Sequence, residues 1–251
     1  MMGMLLLALR ARRRRIGLLV AFAFVFLAAA ATARVAAGHE GHVEFDRLFQ
    51  IGGYPLISGM LLLGWLLGRF GMIAAFVMLA GIYSADRSDG TARLLYARPV
   101  SPVRIYFTRF AALALAAFLI SAALMPVFDL VMLGQWAGPM TFVLIGAYVL
   151  AFGALTFLLS VWTRGDAWVA LLLTLLAMVW HSLRRGDLLA GTAPGLREII
   201  TILLPPHGAI VEIEQAFAQA LPVPWAAVGF VVIYSMLLLV LAGVSILRRE
   251  I

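Results

Sequence analysis

The sequence contains no cysteine, which excludes disulfides, thiolate metal sites and a cysteine nucleophile. It contains no lysine either: all 19 basic residues are arginine. A Walker A phosphate loop requires its lysine and Schiff-base chemistry requires a lysine amine, so both are excluded on this chain. Charge as a whole is scarce. Of 251 residues only 12% are charged, while 64% are apolar and the mean hydropathy is +1.05. A soluble domain carries about 25% charged residues, so a large soluble domain is excluded. No Gly-x-Ser-x-Gly nucleophile elbow is present, and no apolar run holds a pair of carboxylates.

What remains is long apolar runs, and a bilayer crossing takes about 20 such residues. Ile16 to Ala33 is uncharged, and Leu48 to Ala85 is interrupted only by Arg69. Ile105 to Phe128 carries only Arg109, and Thr141 to Thr163, Ala167 to Leu183 and Pro224 to Leu247 carry no charge. These runs predict an all-α polytopic membrane protein, a single transmembrane domain over 1–251. Its six transmembrane helices are expected near 16–36, 62–85, 105–128, 140–163, 167–183 and 224–247.

Arginine sets the expected topology, because positive charge collects on the cytoplasmic side near span ends. Thirteen arginines, clustered before span one, around 87–109, at Arg164 and at Arg248–Arg249, fall on one side. Five fall on the other: Arg34, Arg47, Arg184, Arg185 and Arg197. Eight of the twelve acidic residues lie with the smaller arginine set. Both termini are therefore expected in the cytoplasm of a cell (inner) membrane. That requires 48–85 to cross once, with Leu48 to about Leu61 dipping into the interface at Gly52, Gly53 and Pro55. Trp136, Trp180 and Trp225 then fall at outer ends and Trp162 and Trp168 at inner ends, where indole rings favour the interface. Arg12–Arg15, the apolar stretch and Ala31-Thr32-Ala33 also fit a cleavable secretory signal, as a rival to a retained first span.

Two outer segments are long, 34–61 and 184–223. The second carries Ile199, Ile200, Ile202, Leu203 and Leu204, then Ile210, Ile213 and Phe217, divided by Pro205-Pro206. Short amphipathic helices lying in the outer interface fit this pattern.

The connection between spans two and three holds the functional signal. A span ends in charge at Asp86, and Gly90 permits a bend. Thr91 to Ala97 then places Leu94, Leu95 and Arg98 on neighbouring helical positions beside Arg93, until Pro99 stops the helix. The expected product is a short cytoplasmic helix at about 86–99, parallel to the membrane and fit to take a push from a docked soluble partner. An ordinary basic loop on anionic lipid is the plainer alternative.

The acidic residue Asp86, Gly90-Thr91, Leu94-Leu95, Pro99-Val100-Ser101 and the basic Arg109 opening span three resemble the type-2 permeases of ATP-binding-cassette transporters. The permeases of nitrous oxide reductase maturation are of similar size. The likeness is strongest over 83–110. Asp86 stands where the family usually has Glu, Pro102 where it has Arg, and Arg109 where it often has Lys. The resemblance implies that 86–99 is a coupling helix seated on a separate ATP-binding-cassette ATPase. Asp86, Gly90, Thr91, Arg93, Leu94, Leu95, Arg98, Pro99, Arg104 and Arg109 would form the coupling element. It further implies ATP and Mg on that partner and no cofactor or catalysis on this chain, a second permease copy or homologue, and export rather than uptake. No nucleic-acid partner is expected. The competing readings are a membrane subunit of a redox or enzyme complex and a structural membrane anchor.

Other residues carry weaker signals. His39 and His42, with Glu40, Glu44 and Asp46 nearby, lack the His-Glu-x-x-His spacing of a helical metal site and read as a solvated outer loop. His181 and His207 are assigned to the outer end of span five and to the last outer loop. Arg69 in span two is costly in lipid, unless it reaches the interface. Gly64 and Gly68 allow close helix contact.

Overall fold

The computed structural model describes residues 9–36, 50–51, 54–55, 69–91, 101–133, 136, 138–186, 188, 191 and 193–248. The helices are α1 (Arg13–Ala36), α2 (Phe70–Leu79), α3 (Ser84–Ser88), α4 (Pro102–Leu133), α5 (Met140–Trp162), α6 (Asp166–Arg185), α7 (Pro194–Leu203), α8 (His207–Ala218) and α9 (Trp225–Arg248). A two-residue antiparallel ladder pairs Gln50 with Pro55 and Ile51 with Tyr54. Among the described residues, five segments are long and apolar enough to cross a bilayer: Phe70–Ser88, Pro102–Val131, Met140–Trp162, Asp166–Arg185 and Trp225–Arg248. The chain is a multi-pass helical membrane protein. Helix α1 lies on the segment expected as span one. The Gly64–Gly68 pair lies outside the described residues.

Helix α5 is the axis of the bundle, with nearly every side chain from Leu144 to Val161 buried. Helices α2, α4, α6 and α9 all pack on it. Small residues make the close approaches possible. At Gly153 an added Cβ would stand 2.7 Å from Leu79 Cδ1, and at Gly71 it would stand 3.3 Å from Tyr148 Cβ. Aromatic rings fill the seams, with Phe76 edge-on to Phe152 at 5.5 Å and Phe110 stacked on Phe157 at 5.2 Å.

The outer helices are polarised opposite to those of a soluble bundle. Toward α5, helix α6 buries Asp166, Ala170, Thr174 and Ala177, while Trp168, Leu172, Leu176 and Val179 face outward. Helix α9 likewise buries Ala227, Ser235 and Ala242 and exposes Ile233, Leu237 and Val240. In water that arrangement would leave much apolar area hydrated, at about 25 cal/mol per Å²; in lipid it carries no such cost. The buried hydroxyls bond back one turn, Thr174 to the Ala170 carbonyl and Ser235 to the Val231 carbonyl, each at 2.7 Å. At about 1.5 Å per residue, the 32 residues of α4 reach well past a hydrocarbon core of about 30 Å.

Hydrogen bonds group the helix ends. The Trp162 indole N–H donates to Ser245 Oγ at 2.9 Å, the Gly81 amide donates to Asp166 at 2.5 Å, and Arg12 donates to the Ala80 carbonyl at 2.7 Å. The start of α1 and the end of α9 therefore share one end of the bundle. Arg69, α7 and α8 occupy the other.

The seam at Gly153 is the packing test. Gly153→Val should lower the melting temperature in detergent, equivalent to about 1–3 kcal/mol of overpacking. Gly229→Ala, where a Cβ meets nothing within 4 Å, should leave the melting temperature unchanged or raise it.

Candidate functional site

The polar junction at the shared end grows out of a break in the Phe70–Ser88 segment. Helix α2 ends at Leu79, Ala80 takes extended geometry (φ −56°, ψ 134°), and Gly81 sits at φ +71°, a conformation that favours glycine. The break leaves backbone groups without helical partners, and in lipid such groups must be satisfied within the protein. Arginines from α1 and the residue before it supply the donors. Arg12 donates to Ala80, and Arg15 donates to the carbonyls of Val77 at 3.1 Å and Ala80 at 2.5 Å. Burial foremost, and then the charge of Arg15, pushes the Arg12 guanidinium down to about 10, so it remains a cation at neutral pH.

Asp166 supplies the acceptor. It opens α6, is 5% exposed, and takes the Gly81 amide at 2.5 Å and the Ser84 hydroxyl at 3.4 Å with the same oxygen. Its other oxygen accepts from the Ala167 amide at 3.0 Å. A carboxylate in a first helical turn is also favoured by the helix dipole.

Helix α3 continues the chain from this break and carries Asp86. Arg109 of α4 forms an ion pair with Asp86, and the Tyr106 hydroxyl donates to the same oxygen at 3.1 Å. The Arg109 guanidinium lies 5.5 Å from the Tyr106 ring centroid, and Tyr106 packs on Tyr83 at 4.8 Å. Asp86 and Arg109, 23 residues apart, are thus brought together. Gly90 adopts φ +74° and is exposed, and Thr91 follows it half-buried. Arg104 is exposed on the first turns of α4, where its carbonyl accepts from Thr108 at 2.7 Å. Arg93, Leu94, Leu95, Arg98 and Pro99 lie outside the described residues, as do His39 and His42.

A second polar group occupies the opposite end. Arg69 pairs with Glu214 of α8 at 2.8 Å, and the Tyr148 hydroxyl of α5 donates to the other oxygen of that carboxylate. His207, the first residue of α8, meets His181 of α6 edge-on with centroids 5.5 Å apart. Burial first, then the charges of Arg69 and His181, pushes His207 down to about 4, so it is neutral at physiological pH. Among the described residues no three His, Asp or Glu side chains converge on a metal position.

Sequence reasoning brought Asp86 and Arg109 forward but missed Asp166, Tyr106 and the paired roles of Arg12 and Arg15. The usable signal for Asp166 was an acid in an apolar chain, one residue after Gly165 and at the start of a span. The partners of Arg69 and His207 had no such signal, since Glu214 and His181 are remote in sequence.

Two measurements test these centres. Asp166→Ala leaves the Gly81 amide without its acceptor and should cost about 1–3 kcal/mol, read as a lower melting temperature; Asp166→Asn, which keeps an acceptor oxygen, should cost less. For His207, an unfolded imidazole titrates near 6.5 and the folded one near 4. Between those values the unfolded chain binds more protons, so the contribution is full above about 6.5 and is lost as pH falls toward 4. The melting-temperature gap between the parent and His207→Gln should shift against the parent over that window; a gap independent of pH would remove the assignment. No protein-family model matches the chain, and neither a curated protein nor a solved structure shows significant similarity to it.

Proposed function

We propose that the chain is the membrane-spanning permease subunit of an ATP-driven transporter, working in the direction of export. In this reading α1 is a sixth crossing and the end bearing Arg12, Asp86 and Asp166 faces the cytoplasm of a cell (inner) membrane. A separate ATP-binding-cassette ATPase binds ATP and Mg there, and a second permease copy or a homologue completes the pore. The chain itself performs no hydrolysis. The observation that carries the reading is the ion pair between Asp86 and Arg109. It ties the segment leading into 86–99 to the start of α4, while Asp166, Arg12 and Arg15 tie the adjoining break to α6 and α1. A force applied to the 86–99 segment would reach three crossings through charged or charge-assisted bonds, which are shorter and stronger than neutral ones.

The test replaces Leu94 and Leu95 with Ser in one variant and Arg93 and Arg98 with Glu in another. Interfaces depend on a few anchors worth about 2 kcal/mol or more each, so losing two should weaken capture of the ATP-binding-cassette ATPase that copurifies with the parent chain by about 10³. The melting temperature of the isolated permease should not change. Asp86→Asn should retain the ATPase yet lower ATP-driven transport. If both double variants still copurify with the ATPase and transport at the parent rate, 86–99 is a lipid-bound loop and the coupling assignment fails.

A further inference from the structure

At the end of the bundle away from Gly81, a cleft of about 780 Å³ opens between α6 and α9, with α7 and α8 along its side. Its inner part is apolar, formed by Ala177 of α6 and Ala227 and Phe230 of α9. Its rim carries Arg184 and Arg185 together with Glu212. Ala177 lies two helical turns inside Arg184, a depth of about 10 Å. The wall is held in place: Thr201 of α7 accepts from the Trp180 indole at 3.0 Å and from Arg184 at 3.2 Å, and Arg184 also pairs with Glu198 at 2.8 Å.

His207 lines this cleft and is 8% exposed. Among the described residues its ring makes the edge-on contact with His181 and no side-chain hydrogen bond. The ring nitrogens of His207 are not sealed from the cleft it lines, and a neutral imidazole offers one donor and one acceptor there. Arg185 makes no ion pair among the described residues, and α8 starts without a side-chain cap, with Gly208 and Ala209 on the cleft wall. Donors thus outnumber the acid on the rim, Glu212. The apolar part lies beside faces that already meet lipid: Phe230, Ile233 and Val179 are all exposed.

A donor-rich rim on which Arg185 is the arginine outside the Arg184–Glu198 pair, two turns above an apolar floor and beside an outward apolar surface, matches an amphiphile with a phosphate head. A free phosphate ion would leave the floor unfilled. We propose that the cleft binds one glycerophospholipid entering sideways from the bilayer, its phosphate against Arg185 and His207 and the start of an acyl chain along Ala177, Ala227 and Phe230. This goes beyond the transport reading and does not depend on it, because the isolated chain should bind the lipid without any ATPase.

The full chain in phosphatidylcholine nanodiscs, doped with phosphatidylglycerol carrying a photoactivatable acyl chain, provides the test. Labelling should map to peptides containing Ala177 to Trp180 or Ala226 to Phe230. A photoactivatable diacylglycerol, which lacks the phosphate, should label those peptides about tenfold less, a difference of about 1.4 kcal/mol. Arg185→Glu at the rim and Ala226→Trp on the wall, both at exposed positions, should each lower labelling by phosphatidylglycerol at unchanged melting temperature. Equal labelling by the two probes, or labelling indifferent to both variants, would overturn the proposal. Loss of labelling in millimolar inorganic phosphate would overturn it in favour of a free-anion site.

Discussion

The arrangement depends on satisfying backbone polar groups where a crossing helix is broken. A helix that stops at Leu79 and restarts at Ser84 leaves carbonyls and amides at the turn without helical partners. Where lipid surrounds such groups they must be satisfied within the protein. Two arginines and one aspartate meet that need, from two separate stretches of chain: Arg12 and Arg15 around the start of α1, Asp166 at the start of α6. The same bonds that satisfy the break therefore fix where α1 and α6 stand. Ordinary membrane packing would hold these helices by small-residue contact; here three ionised side chains add direction to it.

The broken crossing also gives α2 two anchored ends. Arg69 precedes it and is held by Glu214 of α8, while Ala80 and Gly81 follow it and are held by Arg12, Arg15 and Asp166. Ten helical residues separate the anchors, about 15 Å of rod packed along α5 through Gly71 and Gly153. A rod fixed by charge at both ends and by close contact along its side moves as a unit or not at all. Among the described residues, the ion pair of Arg69 with Glu214 and the bonds of Arg12, Arg15 and Asp166 thus stand at the two ends of one short helix.

Much of the fold was legible in the sequence because apolar run length is a direct consequence of bilayer thickness. Helices Met140–Trp162 and Trp225–Arg248 fall on runs marked by charge and tryptophan alone. The division of the 184–223 segment at Pro205-Pro206 was also legible, since proline carries its own stereochemistry and α7 ends just before the pair. Run length was silent about the break at Ala80–Tyr83, because Gly81 lies in an uninterrupted apolar stretch and its left-handed backbone has no hydropathy signature. The same limit hid the site's partners. Asp86 and Arg109 stood out as charges flanking a span, but Asp166 answers a need created by the break, and a need that cannot be seen has no visible answer. Arg69 showed its cost in lipid without showing Glu214, which lies 145 residues away.

The polarity of the outer helices bears on how the two charged ends can act. On α6 the outward residues are large and apolar while those turned toward α5 are small or polar, and the buried face of α9 mixes Ala227, Ser235, Ala242 and Gly243 with Val231, Leu239 and Ile246. Small inward residues bring backbones close and leave little room for a helix to tilt at mid-membrane. Rearrangement is then easiest at the ends, where contacts are polar and can exchange partners with water or headgroups. Arg109 and Asp86 are each still partly exposed, at 28% and 21%, whereas Asp166 is nearly sealed. The two carboxylates of the junction are therefore unequal: Asp166 holds the break against α6 nearly out of contact with solvent, and Asp86 pairs with Arg109 within reach of it.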